Sequence, residues 1–423
     1  MNHFIKKIIG VSGMGFCLTL PLYAHAAGYK LEFQSPSVLA DGGGAAVVED
    51  ASTNWYNSAG LVDLPQQLSL SAIDVYSRTQ FRGSATAPEL GTTSYTASGT
   101  AHSRPNSILP AIHYSLPIQD RWALGLSIVP AWGLKENYGS NSMVRYSLTN
   151  ISTKTIDIAP SAAMKLNNHW SIGLGPDFNY FYVQSQSHAY TPLVTSTNDS
   201  IARYSADSWN TGWHAGVLYH LDDATRVGLN YRSKIVMHLH GESDFVLSGI
   251  AHYSANNFRV NIPLPPTASL SVYHDLSPKW ALMGTVNYDQ WSVIKDYYGY
   301  NYSTPLGNVN VAVPQRFHNT FDWSIGTHYT LNEQWLLRGS FKFEPTPTVD
   351  NYRALSFPDT DKFGINVGAR YQINKRMALD LIYAHVFTKT MAINDTNPSS
   401  GANSSGHAST SIDLAGAQLV WDI

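Results

Sequence analysis

Apolar and polar residues alternate along much of this chain. Trp122, Leu124, Leu126 and Ile128 are separated by Ala123, Gly125 and Ser127. Trp335, Leu337, Phe341 and Phe343 are separated by Leu336, Arg338, Ser340 and Lys342, and Met377, Leu379, Leu381 and Tyr383 enclose Ala378, Asp380 and Ile382. Residues two apart share a face of a strand, so each run predicts a strand with one apolar face and one small or polar face. Six short polar breaks punctuate the pattern, at residues 117–122, 166–170, 221–226, 276–280, 331–335 and 373–377. They are rich in Asn, Asp, Ser and Pro, the residues that close tight turns. Four of the six put a Trp directly after the turn. The breaks lie about forty to fifty-five residues apart, room for two strands and one longer loop. Six tight turns on one side separate seven hairpins, so the pattern counts out fourteen strands. It predicts an all-β chain: a 14-stranded antiparallel transmembrane β-barrel with short turns on one side and long loops on the other.

Alternation alone fits a soluble sandwich equally well, with the apolar face turned inward. Composition separates the two. Of 423 residues, 12% are aromatic and only 13% are charged, against about 25% charged in soluble domains. The 25 Tyr and 11 Trp belong where a surface passes from hydrocarbon to water. The formal charge of -3 argues against a nucleic-acid partner. At the N-terminus, Lys6 and Lys7, an apolar stretch from Ile8 to Leu20, and Ala24-His25-Ala26 read as a secretory signal over residues 1–26. The mature chain is then expected to begin at Ala27. The single cysteine, Cys17, falls inside that signal, leaving no disulfide or thiolate metal site. Near the other end Leu419, Trp421 and Ile423 alternate with Gln418, Val420 and Asp422, as in a last barrel strand.

Residues 27–66 do not alternate. Glycines and small residues dominate, and about forty such residues cannot build a core alone. Inside a fourteen-stranded barrel (residues 67–423) they can pack, because a lumen of that width needs filling. The predicted organisation is therefore a barrel plugged by a small N-terminal hatch.

Here the chain resembles a known family. Ala27-Gly28-Tyr29-Lys30-Leu31 resembles the mature start of the FadL/TodX (OmpP1) family of outer-membrane transporters for long-chain fatty acids and other hydrophobic compounds. Asp50-Ala51-Ser52-Thr53 and Asn57-Ser58-Ala59-Gly60-Leu61 resemble its hatch motif. Trp132-Gly133-Leu134-Lys135-Glu136-Asn137-Tyr138, Gly212-Trp213-His214-Ala215-Gly216, Tyr231-Arg232-Ser233 and Phe357-Pro358-Asp359-Thr360-Asp361 extend the match through the barrel.

The resemblance implies a passive channel in the Gram-negative outer membrane. The extracellular loops capture a hydrophobic ligand and pass it to a site at the start of the hatch. A hatch movement then frees it sideways, through a gap made by a kink in the third strand. On that reading Ala27, Gly28, Tyr29, Leu31 and Phe33 form the ligand and latch segment. Asp50, Asn57, Ser58 and Ala59 carry the hatch motif, and Pro130, Ala131, Trp132 and Gly133 form the kink. Proline lacks a ladder donor and glycine weakens a strand, so an interruption there has a mechanism of its own.

The sequence departs from the family in three places. Ser58 stands where the hatch motif has Pro. The cations that hold a carboxylate do not carry over: one falls near Ser187 beside His188, the other near Val313 with Arg316 and His318 close by. Arg316, His318 and His188 are therefore the candidate carboxylate anchors. The loops after strands 5 and 7 read as short, roughly 184–207 and 248–257.

No cofactor is expected, and His238 and His240 read as ordinary wall histidines rather than metal ligands. The expected surroundings are outer-membrane lipid and lipopolysaccharide, with the chain acting as a monomer. Competing readings are uptake of aromatic hydrocarbons by the same fold, a general porin or adhesin, and a barrel hydrolase. The hatch segment argues against a porin. A hydrolase needs a nucleophile with a base, and no local signature singles one out.

Overall fold

All six turns read from the sequence are short connections in the structure, a computed structural model that describes residues 29–89, 93–192, 199–396 and 401–423. The expected signal segment, Ala27 and Gly28 lie outside the described residues. Among the described residues the wall has fourteen strands, several of them interrupted. The first seven are β1 (Gln67–Glu89), β2 (Thr93–Ser103 and Asn106–Ile118), β3 (Trp122–Val129 and Leu134–Asn137), β4 (Asn150–Lys165), β5 (Trp170–Tyr190), β6 (Asp199–His220) and β7 (Thr225–Arg232 and Ile235–Leu247). The second seven are β8 (Ala251–Leu264 and Thr267–Ser277), β9 (Trp280–Asp289 and Asp296–Tyr302), β10 (Val309–Pro314 and Thr320–Thr330), β11 (Trp335–Glu344), β12 (Lys362–Asn374), β13 (Met377–Thr388 and Met391–Thr396) and β14 (Asn403–Asp422). Neighbours pair antiparallel, and β1 closes on β14 from Gln67↔Asp422 to Thr86↔Asn403. Closure leaves no edge strand, which is what a sheet in lipid requires.

The alternation resolves into outside and inside. Trp122, Leu124, Leu337, Phe341 and Tyr383 are exposed on the outer surface, whereas Ala123, Ser127, Arg338, Ser340 and Asp380 are buried facing the lumen. The apolar face therefore points to lipid. Aromatic pairs band the outer wall just above the short turns, including Trp170–Tyr219, Trp280–Tyr329 and Trp335–Tyr371. A second band, including Tyr180–Trp209 and Tyr288–Phe321, lies further along the strands. Such bands mark the two water–hydrocarbon boundaries of a membrane barrel.

Two loop expectations are corrected. Residues 184–190 and 199–207 are paired strand, from Gln184↔Ser205 to Tyr190↔Asp199. The loop after β7 shrinks to residues 248–250, because 251–257 already belong to β8. Ala202, Tyr204 and Ala206 do face the core, but small and polar residues surround them, so the period is weak.

Residues 29–66 lie within the wall. Two short helices, α1 (Pro36–Ala40) and α2 (Thr53–Tyr56), and a 3-10 helix (Ser58–Asp63) carry them. Ser35 caps α1 and Pro36 supplies the fixed backbone angle of a first helical residue. Asn57 caps the 3-10 helix, its side chain accepting from the Ala59 amide at 3.1 Å. The segment is hydrogen-bonded around the whole circumference. Its partners include Gln418 on β14, Ser127 on β3, the Val217 carbonyl on β6, Ser271 on β8 and Thr285 on β9. Above it, loop residues Tyr138, Val144 and Leu148 pack with Leu355 and Ile393 over the lumen.

Candidate transport site

The site starts from what Pro130 does to β3. From Val129↔Asp157 to Leu134↔Thr153, β3 advances five residues while β4 advances four. Residues 130–133 therefore leave the ladder. On the other side, β2 pairs with β3 only up to Ile112↔Ile128, and residues 106–111 pair with β1 alone. A gap remains in the wall between β2 and the upper half of β3. It is bounded above by the Lys135 ammonium on the Asn106 carbonyl at 2.7 Å and by the Asn137 amide on Ser103 Oγ at 2.7 Å.

Backbone groups freed at such a break cost free energy unless they find partners. Here the plug and one threonine supply them. Leu31 N–H donates to the Ala131 carbonyl at 2.9 Å, and Gly133 N–H to the Tyr29 carbonyl at 2.8 Å. Gln34 Nε2 donates to the Pro130 carbonyl at 3.0 Å. Thr155 Oγ1 accepts from the Trp132 amide and donates to its carbonyl, at 2.9 and 2.6 Å. The first described residues of the plug thus bridge to the kink as a short strand, Lys30 opposite Trp132. A Cβ at Gly133 would meet Leu31 Cδ1 at 2.9 Å, so a larger residue there has to displace that side chain.

Tyr29 is 2% exposed. Its ring sits among Trp132, Trp291 and Phe181, with centroids 5.4, 6.0 and 6.2 Å away. Burial, then the neighbouring Tyr297 hydroxyl, push its phenol well above the ordinary tyrosine range, so it stays neutral. Phe33 packs against Leu39, Ile73 and Leu414.

Two cavities flank this bridge. The larger, about 920 Å³, is lined inside by Tyr29, Leu31, Phe33 and Phe357 and outside by Ile108 and Ile156. Ile108 and Ile156 are 69% and 45% exposed on the outer surface, so this cavity passes through the wall. The smaller, about 120 Å³, lies deeper, against Trp55, Trp132, Ile235 and Leu264.

The inner wall of the larger cavity also carries charge. Lys30 pairs with Asp289 at 2.8 Å and Glu32 at 3.1 Å. Lys342 pairs with Glu32 and lies 3.5 Å from Asp322, and Lys362 pairs with Asp359 and Glu344 at 2.6 and 2.9 Å. Burial alone would lower the Lys30 ammonium, but Asp289, Asp322 and Glu344 outweigh it and raise its pKa, so it remains charged. Each of these cations already has an acid. None was singled out from sequence: Lys30–Glu32 and Lys362–Asp359 are chain neighbours, but Lys30–Asp289, Lys342–Glu32 and Lys362–Glu344 join distant segments that only the fold brings together.

The candidate carboxylate anchors lie elsewhere. Arg316 and His318 are exposed and line neither cavity, and Arg316 faces Asp296 at 3.5 Å. Phe317 between them is buried, so its neighbours turn outward. His188 donates its backbone amide to the Arg145 carbonyl, and its ring lies 3.2 Å from Asp199. The hatch motif, by contrast, is buried against the wall and bonded to it at Asp50 and Asn57. Asp50 accepts from Ser37 Oγ, the Ser52 amide and Gln418 Nε2, and Arg370 lies 3.2 Å away. Asn57 Nδ2 donates to the Ala45 and Val217 carbonyls, while Ser58 and Ala59 are buried against β5 at Gly173.

One row resembles a nucleophile–base–acid arrangement. Ser161 Oγ lies 2.8 Å from His214 Nε2, and His214 Nδ1 lies 2.8 Å from Asp177. Arg232 holds the same Asp177 oxygen at 2.7 Å and stacks 3.4 Å over the Trp55 ring. Ser161 and His214 line neither cavity.

A closed strand wall with a lipid-facing apolar exterior, a folded plug and an apolar cavity opening through the wall defines a plugged outer-membrane channel. The chain belongs to the outer membrane protein transport protein (OMPP1/FadL/TodX) family, whose model matches residues 17–422, and it is a multi-pass protein of the outer membrane. It is 26% identical over 420 residues to the long-chain fatty acid transport protein of Escherichia coli (strain K12), covering 88% of this chain and 90% of that protein. Its fold is similar to a Pseudomonas aeruginosa FadL homologue, with a TM-score of 0.79 at 20% identity over 96% of this chain and 99% of that one. The Pseudomonas putida toluene transporter TodX superposes with a TM-score of 0.71 at 17% identity, covering 93% of this chain and 99% of that one.

Proposed function

We propose that this protein is a passive channel for long-chain fatty acids and similar hydrophobic molecules. Residues 29–66 act as its gate, and cargo leaves sideways through the break in β3. The observation that carries this reading is the larger cavity, bounded by the plug on one side and by lipid-facing isoleucines on the other. Each methylene of a fatty-acid tail gains about 0.8 kcal/mol on leaving water. A route from apolar cavity to hydrocarbon keeps that gain, whereas a polar lumen forfeits it. Tyr29 and Leu31 are the latch: shifting them breaks two backbone hydrogen bonds to the kink. Gate and exit are thereby mechanically coupled.

A second cargo class, neutral aromatic hydrocarbons, draws support from the paired lysines at the cavity. A neutral molecule displaces no ion pair there, whereas a carboxylate must compete with Glu32, Glu344 or Asp359. A hydrolase has less support, because Ser161 faces neither cavity and Arg232 claims the acid of its row.

The test compares uptake of labelled oleate and of toluene in cells carrying the natural protein or the double variant Pro130→Val, Gly133→Val. Uptake of the true cargo is expected to fall several-fold at equal amounts of folded protein. Undiminished uptake in a variant whose wall is shown to be closed would refute lateral exit. If small polar solutes alone depend on the protein, an open pore is the correct reading.

A further inference from the structure

Away from the cavities, three lone pairs converge where the plug meets β10. Asp41 and Glu49 flank the glycine turn of the plug, and His328 projects inward from β10. Asp41 Oδ1, Glu49 Oε1 and His328 Nδ1 all lie within 4.8 Å of one another. His328 Nδ1 is 3.1 Å from the glutamate oxygen and 3.8 Å from the aspartate oxygen. None of the three atoms has a hydrogen-bond partner outside this group, and Asp41 is 0% exposed.

The surrounding bonds occupy the other polar atoms of the three side chains. Arg338 takes the opposite oxygens, Nε on Asp41 Oδ2 at 3.0 Å and Nη2 on Glu49 Oε2. On the far side of the imidazole, Nε2 meets the Tyr273 hydroxyl at 3.2 Å, and that hydroxyl donates its only proton to Asp275 at 2.8 Å. Tyr273 must therefore accept from His328 Nε2–H. With Nε2 as the donor, Nδ1 is the ring atom that faces the two carboxylate oxygens, and in the neutral ring it presents a lone pair to them. Outer partners fix metal-binding histidines in the same way. A proton on Nδ1 would serve Glu49 but leave Asp41 Oδ1 unmet at 3.8 Å. The wider cluster also holds four carboxylates (Asp41, Glu49, Asp50, Asp380) against two guanidiniums (Arg338, Arg370). His328 is the further group there that can carry positive charge.

We propose that Asp41, Glu49 and His328 bind one divalent transition-metal ion, with zinc as the type case, which ties the plug to the barrel wall. One imidazole nitrogen with two carboxylate oxygens suits zinc better than calcium or magnesium, which favour all-oxygen shells. The glutamate and histidine edges keep slight exposure, 13% and 11% for the side chains, so an ion can enter. This inference stands independently of what the channel carries.

The full chain, folded in detergent micelles and stripped with chelator, is titrated calorimetrically with Zn²⁺ and separately with Ca²⁺. One Zn²⁺ per chain is expected, with Ca²⁺ unable to displace it. Glu49→Gln and His328→Gln are each expected to weaken binding by about tenfold or more. Cobalt(II) on the natural protein gives a readout that needs no variant to fold: visible absorption of a low-coordinate site containing nitrogen. Zinc binding should also slow hydrogen exchange of plug amides between residues 41 and 49. Absence of stoichiometric zinc binding by the natural protein overturns the site in favour of a protonated His328. Equal binding by folded Glu49→Gln and His328→Gln variants overturns it in favour of ligands elsewhere.

Discussion

The β5–β6 hairpin and β3 are built from the same alternating pattern, and they close the wall in different ways. β5 and β6 pair without a break from Trp170↔Tyr219 to Tyr190↔Asp199. The ladder between them is made of wall residues, and the plug packs against it through Tyr29 on Phe181, Ser58 and Ala59 at Gly173, and Asn57 on the Val217 carbonyl. β3 keeps its ladder as far as Val129 and then gives four residues to Thr155 and the plug. One part of the wall is complete in itself. The other is complete only while residues 29–34 are seated. Opening at β3 can therefore depend on the plug, whereas β5–β6 stays shut whatever the plug does.

This contrast can be tested in order of effect. Arg338 is the buried hub on the plug's far side, bonded to Asp41, Glu49 and Asp380. Arg338→Ala leaves these carboxylates without that partner, a loss of about 3–5 kcal/mol for a buried pair. Hydrogen exchange at plug amides 41–50 is expected to accelerate by orders of magnitude, ion conductance in planar bilayers to rise, and β5–β6 amides to stay protected. Unchanged plug protection would show that the seat does not depend on this cluster. Thr155→Val removes both side-chain bonds to Trp132, for about 1–3 kcal/mol. Its effect should be confined to the Trp132 and Gly133 amides; equal loosening of β5 would erase the distinction drawn here. Leu174→Ala alters a lipid-facing side chain of β5 that is 60% exposed. Its thermal unfolding should shift by no more than about 0.5 kcal/mol equivalent.

Much of the wall was legible because its signals are local. Period-two alternation and turn residues depend on neighbours in sequence, so the six turns and the strand count follow directly. The strand extensions at 184–190 and 199–207 escaped because their inward face is marked only by small alanines and Tyr204 among polar residues, a weak period. Pro130 and Gly133 offered a local reason for β3 to leave its ladder, but nothing in the sequence pairs that segment with Tyr29 and Leu31, since that needs three-dimensional register. The same limit hid Lys342, Asp177 and Arg338, whose partners lie on other strands or in the plug. Arg316 and His318 were chosen by nearness in sequence to a family position. Buried Phe317 turns both outward, which no pattern around residue 313 reveals.

The bridge between the plug and β3 also bears on the order of assembly. A barrel strand entering a bilayer must leave few backbone groups unpaired, and the Ala131 carbonyl and Gly133 amide have the plug as their partner. Inserting the wall first and threading the plug afterwards would carry these groups unpaired into the membrane. Residues 29–31 are synthesised before every strand and can be on hand when β3 turns in. A wall that needs this bridge to satisfy β3 ties barrel closure to plug docking in the folded state.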